Sequence, residues 1–324
     1  MVDATAALKV QGLAKTYGHF HMQDVSFELN FGRIMGFVGR NGAGKTTTIK
    51  MILGIVFPQA GNIELFGKPY SPDVVGKIGV VMDSPYYSGE WKLTEVESAC
   101  KHVYDNWDSA AFYAHLNEFG LDKNKKVKEL SRGMSVKLQI AAALSHDAQL
   151  LIMDEPTSGI DPLARDDIGE MLEDFVSDGN HAVFYSTHIT TDLEKTADDI
   201  TFIRDGEILY TGTKAELLTK YMTVEGEAAQ VSEQLKAQLV GWHEHAGRFD
   251  ALIAREALDY QQLPDSCTSH PASLDDIVVS FSRATRKTAT PAVSAAPAAP
   301  TAPAPMAATP TATTATTSTP SPEK

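Results

Sequence analysis

The chain runs to 324 residues, 43% of them hydrophobic, with a net charge of −14. That is enough for one or two cored domains, and acidic where a surface for nucleic-acid phosphates would be basic, so no nucleic-acid partner is expected. Two cysteines, Cys100 and Cys267, make neither a disulfide framework nor a zinc site and fit a reducing setting.

No run reaches about 18 apolar residues, and Met1 to Leu8 lack the basic and long apolar regions of a secretory signal. Any role at a membrane is therefore expected from the aqueous side, through a partner. Residues 8–29 read as strands, because Val25, Phe27 and Leu29 alternate with Ser26, Glu28 and Asn30. Tyr17, in Lys15-Thr16-Tyr17-Gly18, reads on its own as an ordinary strand-end tyrosine. Asn30-Phe31-Gly32 turns the chain into the apolar run Ile34 to Val38, which feeds Gly39-Arg40-Asn41-Gly42-Ala43-Gly44-Lys45-Thr46.

That octapeptide fits G-x-x-x-x-G-K-[ST], the phosphate-binding loop. Ile49, Ile52, Leu53 and Val56 then recur at helical spacing. Strand, glycine loop and helix together make the pattern a site rather than a chance glycine turn. Glycines at 39, 42 and 44 let backbone N–H groups approach an oligophosphate that side chains would block. The helix starting near Lys45 directs unpaired N–H groups and its positive end at the same place. Lys45 suits the β and γ phosphates as a point charge, and the Thr46 hydroxyl suits Mg²⁺.

Further along, Gly61 to Gly67 reads as a strand closed by a turn. Ile78 to Asp83 reads as an apolar strand ending in a carboxylate. Residues 84–128 carry Trp91, Trp107, Phe112, Tyr113, Leu116 and Phe119 without strand patterning and read as mostly helical. Lys123 to Lys128 reads as a solvated loop. Leu130-Ser131-Arg132-Gly133-Met134 opens a helix marked by Val136, Leu138, Ile140, Ala141 and Leu144. It is either a plain N-cap at Ser131 or a second anion site.

Leu150 to Met153 form a buried strand from whose end Asp154 and Glu155 emerge. Ligands of open α/β sheets sit outside the carboxyl ends of strands, which places Asp154 for Mg²⁺ and Glu155 for a water. Ser158-Gly159-Ile160-Asp161-Pro162 turns into a helix with Ile168, Met171, Leu172 and Phe175 on one face. Ala182 to Tyr185 is a strand running into Ser186-Thr187-His188, and residues 200–212 form a hairpin with Asp205-Gly206 at its turn. Val231, Leu235 and Leu239 fit a helix, and so do residues 273–281 with Ser273 as N-cap. Residues 289–322 are almost entirely Ala, Pro, Thr and Ser, a composition expected to be disordered.

The order of these motifs resembles the ATP-binding subunit of ABC transporters over about residues 8–215, closest to the exporter branch whose permeases are separate chains, as in bacitracin- and acetoin-utilisation-type subunits. Gly39 to Thr46 matches Walker A, Leu150 to Asp154 Walker B, and Ser158 to Asp161 the D-loop. The resemblance implies an α/β fold: a P-loop NTPase ABC cassette with a RecA-like core, an antiparallel β subdomain and a helical signature subdomain. The cassette would span residues 1–220, with the helical part at about 84–145 receiving the permease. A small accessory region would follow at 221–285 and a tail at 286–324.

By the same resemblance Glu155 is the catalytic glutamate and His188 the switch histidine. Tyr17 stacks on adenine, and Gly39, Arg40, Asn41, Gly42, Ala43, Gly44, Lys45, Thr46 and Thr47 hold ATP. Thr46, Asp83 and Asp154 serve Mg²⁺. Ser131 and Gly133, in the signature, face the ATP of a second cassette in a homodimer or heterodimer. The expected setting is the cytoplasmic face of the cell membrane, held there by a permease subunit. The alternatives are a soluble non-transport ABC ATPase and a weakly hydrolysing nucleotide sensor. The first usually carries two cassettes, zinc-binding cysteines or a long coiled coil, none of which is seen here. Two features, three residues in all, depart from the family pattern. Asp83 stands where the family has glutamine, and beside Asp154 and Glu155 it is expected to add repulsion. Arg132 and Met134 replace signature glycine and glutamine. Both changes point to slower or more partner-dependent hydrolysis.

Overall fold

The alternation ahead of the phosphate loop folds as a hairpin, β1 (Leu8–Tyr17) and β2 (Phe20–Leu29), with Leu8 opposite Leu29 and Val10 opposite Phe27. This computed structural model describes residues 6–258 and 263–284; the stretch expected to be disordered, 286–324, lies outside the described residues. After the hairpin come β3 (Arg33–Val38), α1 (Lys45–Ile52), β4 (Ala60–Leu65), β5 (Lys68–Pro69), α2 (Pro72–Val75) and β6 (Ile78–Val81). The helical stretch is α3 (Leu93–Val103), α4 (Ser109–Glu118) and α5 (Arg132–Leu144). Then follow β7 (Leu150–Asp154), α6 (Pro162–Val176), β8 (Ala182–Thr187), α7 (Thr190–Thr196), β9 (Asp199–Arg204), β10 (Glu207–Thr213) and α8 (Lys214–Lys220). The chain continues through β11 (Tyr221–Glu227), α9 (Glu233–Lys236), β12 (Val240–His245), β13 (Arg248–Ala254), α10 (Arg255–Leu258), β14 (Thr268–Pro271) and α11 (Leu274–Arg283).

Three sheets result. The antiparallel one has the order β2-β1-β4-β5, the main one β10-β9-β3-β8-β7-β6, and the last β12-β13-β11-β14. In the main sheet β9, β3, β8, β7 and β6 run parallel, and β10 closes its edge antiparallel. Parallel strands covered on both faces read as unbroken apolar runs, and every residue of β7 and of β8 is buried. Their side chains divide by parity. Leu150, Ile152 and Phe184 pack with Met35, Phe37, Ile49 and Ile52 on one face; Leu151, Met153 and Val183 pack with Ile140, Ile168 and Leu172 on the other. A one-residue slip of β7 would exchange the two faces and turn Asp154 away from the sheet edge. Phe27, Phe37 and Phe184 meet in a ring cluster with centroids 5.1–5.5 Å apart.

The first two sheets, with the helices around them, have the α/β arrangement that the resemblance implies for a cassette. Local differences have local causes. The strand expected through Asp83 stops at Val81, because Met82 turns aside: its N–H donates to Gln139 Oε1 at 3.0 Å, and Gln139 Nε2 donates to its carbonyl at 3.2 Å. The lysine run at 123–128 is exposed at Lys123, Lys125 and Lys128, but Val127 within it is buried, and Lys126 and Lys128 pair with Glu90 at the surface at 3.0 and 2.7 Å.

Past residue 220 the observed chain is mainly a sheet. The helix expected through Val231, Leu235 and Leu239 is confined to α9, and Leu235 and Leu239 are buried with Phe249 and Ile253. Ser273 does cap α11, accepting from Asp276 N at 3.1 Å. Leu274, Ile277 and Phe281 of α11 join the same apolar cluster as Leu193 and Ile200. Arg204 donates from NH1 to the Phe281 and Ala284 carbonyls at 2.5 and 3.0 Å and so holds the far end of α11.

Candidate functional site

The loops after β3, β7 and β8 leave the main sheet at one edge, where an open α/β sheet binds its ligand. After β3 the chain needs backbone that only glycine supplies cheaply. Gly42 and Gly44 have φ of 82° and 117°, in the left-handed half of the map. A Cβ at Gly39 would run into the Ile203 carbonyl oxygen. The N-terminus of α1 has Gly44 as its cap residue, no side-chain cap and no acid in its first turn. Its first N–H groups are thus left for an anion.

Lys45 is 5% exposed and folds back over the loop, its Nζ donating to the Gly39 carbonyl at 2.6 Å. The same Nζ lies 3.1 Å from Glu155 Oε1, an ion-pair contact rather than an oriented hydrogen bond. Glu155 itself has φ of 50°, unusual for a residue with a side chain. Its N–H donates to the Ser186 carbonyl at 2.9 Å across the β7–β8 boundary. Its other oxygen, Oε2, accepts from His188 Nδ1 at 2.7 Å and from His188 N at 3.3 Å. Lys45, at the start of α1, and Glu155 and His188, from the loops after β7 and β8, therefore form one polar row.

Beside the row, Thr46 Oγ1 donates to Asp154 Oδ2 at 2.9 Å, and Ser186 Oγ donates to Asp154 Oδ1 at 2.9 Å. Ser186, which faces Asp154 in the parallel register, was not among the expected site residues; its signal was its place just ahead of His188. A hydroxyl and one carboxylate are hard oxygen donors suited to Mg²⁺, which takes one or two protein ligands and completes its shell with water and phosphate. The donor set fits that ion. Among the described residues no group of three His, Cys, Asp or Glu could hold a metal unaided.

Tyr17, Arg40, Asn41, Thr47 and Glu155 line, with the phosphate loop, an open cleft of about 550 Å³. Tyr17 is 46% exposed, with Lys15 Nζ 5.3 Å from its ring centre. Phe20, at the other side of the hairpin turn, lines the cleft as well and was missed, since nothing in its local pattern separates it from a strand aromatic. Ala43 is buried, its carbonyl accepting from Gly206 N at 3.0 Å.

Ser131, Gly133 and Asp83 do not line this cleft. Ser131 Oγ accepts from Met134 N at 3.3 Å, the ordinary capping bond of α5. The Asp83 carboxylate forms an ion pair with the Arg132 guanidinium, which also lies against Gly159. Asp83 meets a cation, and the two departures from the family pattern touch each other.

Comparison with known proteins agrees with this geometry. Residues 22–158 match the family described as ABC transporter. The chain is 33% identical over 208 residues to the bacitracin transport ATP-binding protein BcrA of Bacillus licheniformis, covering 62% of this chain and 68% of that one. It is 32% identical over 228 residues to the Nod factor export ATP-binding protein I of Ralstonia nicotianae, covering 67% and 70%. A solved structure of the ATP-binding subunit of an ABC transporter superposes with a TM-score of 0.60 at 28% identity, over 65% of this chain and 91% of that one. The phosphate loop, the carboxylate pair after β7 and the histidine after β8 thus stand on the fold their order implied: the chain belongs to the ATP-binding, ATP-hydrolysing subunits of ABC transporters, on the branch of the bacitracin-type transport proteins.

Proposed function

We propose that the chain powers a separate membrane permease, in the export direction, by closing on ATP as one half of a head-to-tail pair with a second copy or a sister subunit. It would work at the cytoplasmic face of the membrane, attached through that permease. The observation that carries the reading is the row Lys45–Glu155–His188 alongside the Thr46–Asp154 pair.

Phosphoryl transfer asks little covalent chemistry of a protein; it asks for position and charge. The uncapped α1 and the loop N–H groups hold the β and γ phosphates. Lys45 exchanges its contact with Glu155 for the phosphate oxygens, which frees a carboxylate already aimed by its backbone turn. Glu155 then orients and polarises the attacking water, and His188 contacts the γ-phosphate. Thr46 and Asp154 would hold Mg²⁺, which would neutralise charge on the phosphates. Tyr17, with Phe20 across the turn, provides an apolar face for adenine. Ser131 and Gly133 serve the opposite nucleotide, which accounts for their absence from the cleft of their own chain. Likeness to bacitracin transport and Nod factor export proteins supports the direction of transport.

The test is Glu155→Gln. Loaded with MgATP, that variant should accumulate as a nucleotide-bound pair, alone or with its co-expressed sister subunit, measured by light scattering. Hydrolysis at the wild-type rate would show that Glu155 is not the group that activates the water.

A further inference from the structure

Behind the Lys45–Glu155–His188 row lies a second set of polar groups that the proposed chemistry does not use. Thr157 stands two residues past Glu155, Tyr185 three before His188, and Asp192 four after it. Thr157 and Tyr185 are each 2% exposed. Thr157 Oγ1 donates to Asp192 Oδ2 at 2.6 Å and lies 2.7 Å from the Tyr185 hydroxyl, which is 3.4 Å from the same carboxylate oxygen. Burial pushes the Tyr185 hydroxyl far above its ordinary range, so it stays protonated and acts as a donor. Because the Thr157 proton goes to Asp192, Tyr185 donates to Thr157, and the three form a directed chain ending on the carboxylate. Asp192 Oδ1 lies 3.7 Å from Arg165 NH1, and Arg165 Nε donates to the Ile160 carbonyl at 2.9 Å. One carboxylate thereby ties the loop 155–161 to the strand-to-helix corner 185–192.

We propose that Asp192 is the positioning residue that holds Glu155 and His188 in register, with Thr157, Tyr185 and Arg165 as its supports. This rests on the roles given above to Glu155 and His188. The arrangement is a staple. Glu155 and His188 touch at the front, where His188 has a side chain 45% exposed, and the buried to half-buried Thr157–Tyr185–Asp192 bonds join their two segments behind them. A satisfied buried network holds its members to one geometry, and losing one member leaves the others unpaired. Displacement of a catalytic group by about 1 Å is enough to lower turnover about a hundredfold. The nucleotide itself is held by the phosphate loop, none of which contributes to the staple, so binding and turnover should separate.

The experiment compares Asp192→Asn, Thr157→Val and Thr157→Ser in the purified full chain, with MgATP as the probe. The first two keep shape and burial, so folding is expected to persist, and melting temperature is recorded beside kinetics. Asp192→Asn and Thr157→Val should lower kcat about ten- to hundredfold while leaving MgATP affinity within about twofold. Thr157→Ser, which keeps the hydroxyl, should restore near wild-type turnover. Full turnover in Asp192→Asn and Thr157→Val would overturn the proposal. So would a loss of kcat, affinity and melting temperature in parallel, the mark of a merely structural group. Glu155→Gln run alongside separates the two levels. If it hydrolyses normally, the underlying roles fail and this proposal with them; if it is inactive while Asp192→Asn is normal, only the staple fails.

Discussion

Two helices of this chain begin at glycine-containing turns, and they end up in opposite conditions. The N-terminus of α1 has no side-chain cap and no acid in its first turn, and the Lys45 ammonium beside it rests on the Gly39 carbonyl and the Glu155 carboxylate. The N-terminus of α5 is partly provided for: Ser131 caps its Met134 N–H, and the side chain of its first residue, Arg132, is paired with Asp83. Four N–H groups at a helix start need partners from somewhere. Where the chain supplies one, the helix end is structural in the single subunit; where it withholds one, the end is offered to a ligand. On the proposed reading, α5 meets ATP only across a pair of subunits.

The contrast can be broken at several points, in decreasing order of effect. Gly44→Ala places a Cβ 2.8 Å from Met22 Cε on backbone with φ of 117°, so it should disable the α1 end. MgATP affinity is expected to fall more than tenfold by titration calorimetry, with cost from strained φ of order 1–3 kcal/mol in unfolding.

Ser131→Ala should cost about 1 kcal/mol of stability through the lost cap. It should leave MgATP affinity of the isolated chain unchanged, because Ser131 is remote from the cleft. An affinity loss matching that of Gly44→Ala would erase the distinction between the two helix ends.

Asp83→Gln and Arg132→Gly return the departures to the family pattern. The ion pair is 54% and 40% exposed at its two side chains, so each substitution should shift stability by less than about 1 kcal/mol. In a double-mutant cycle on denaturant midpoints the two should couple, the double variant losing less than the sum of the singles. Strict additivity would mean the pair is not formed in solution.

The smallest effect is at the far end of α5. His146, 3% exposed and stacked on Tyr104 at 4.0 Å between centroids, has its pKa lowered from 6.5 by burial. The unfolded chain therefore binds a proton that the folded one resists. Stability from this group is intact above about pH 6.5 and is lost as pH falls from there through the lowered folded value. Melting temperature measured from pH 7 downward should decline less steeply in His146→Phe than in the wild type. Equal slopes would dismiss His146 as the source.

How far the sequence could be read depended on whether a feature lies within one short segment. Gly39 to Thr46, Leu150 to Glu155 and Ala182 to His188 each carry their strand and their polar end together, so their convergence on one sheet edge followed from α/β rules alone. Partnerships between distant segments were invisible. Asp83 with Arg132, and Thr157 with Asp192, are ordinary polar residues until the fold brings them together. The individual strands of the last sheet escape a sequence reading for a different reason. All four residues of β14 are exposed, and β12 ends in His243-Glu244-His245 with little alternation. The fourfold spacing of Val231, Leu235 and Leu239 imitates a helix, whereas burial against Phe249 and Ile253 is what those leucines satisfy.

Everything turns on the α1 end accepting phosphates through Lys45, and titration of MgATP into Lys45→Met beside the wild type measures that directly, with hydrolysis followed in the same samples. The account predicts turnover reduced at least about a hundredfold, as for loss of a principal electrostatic donor, together with weakened binding. A Lys45→Met chain that binds and hydrolyses MgATP as the wild type does would contradict it.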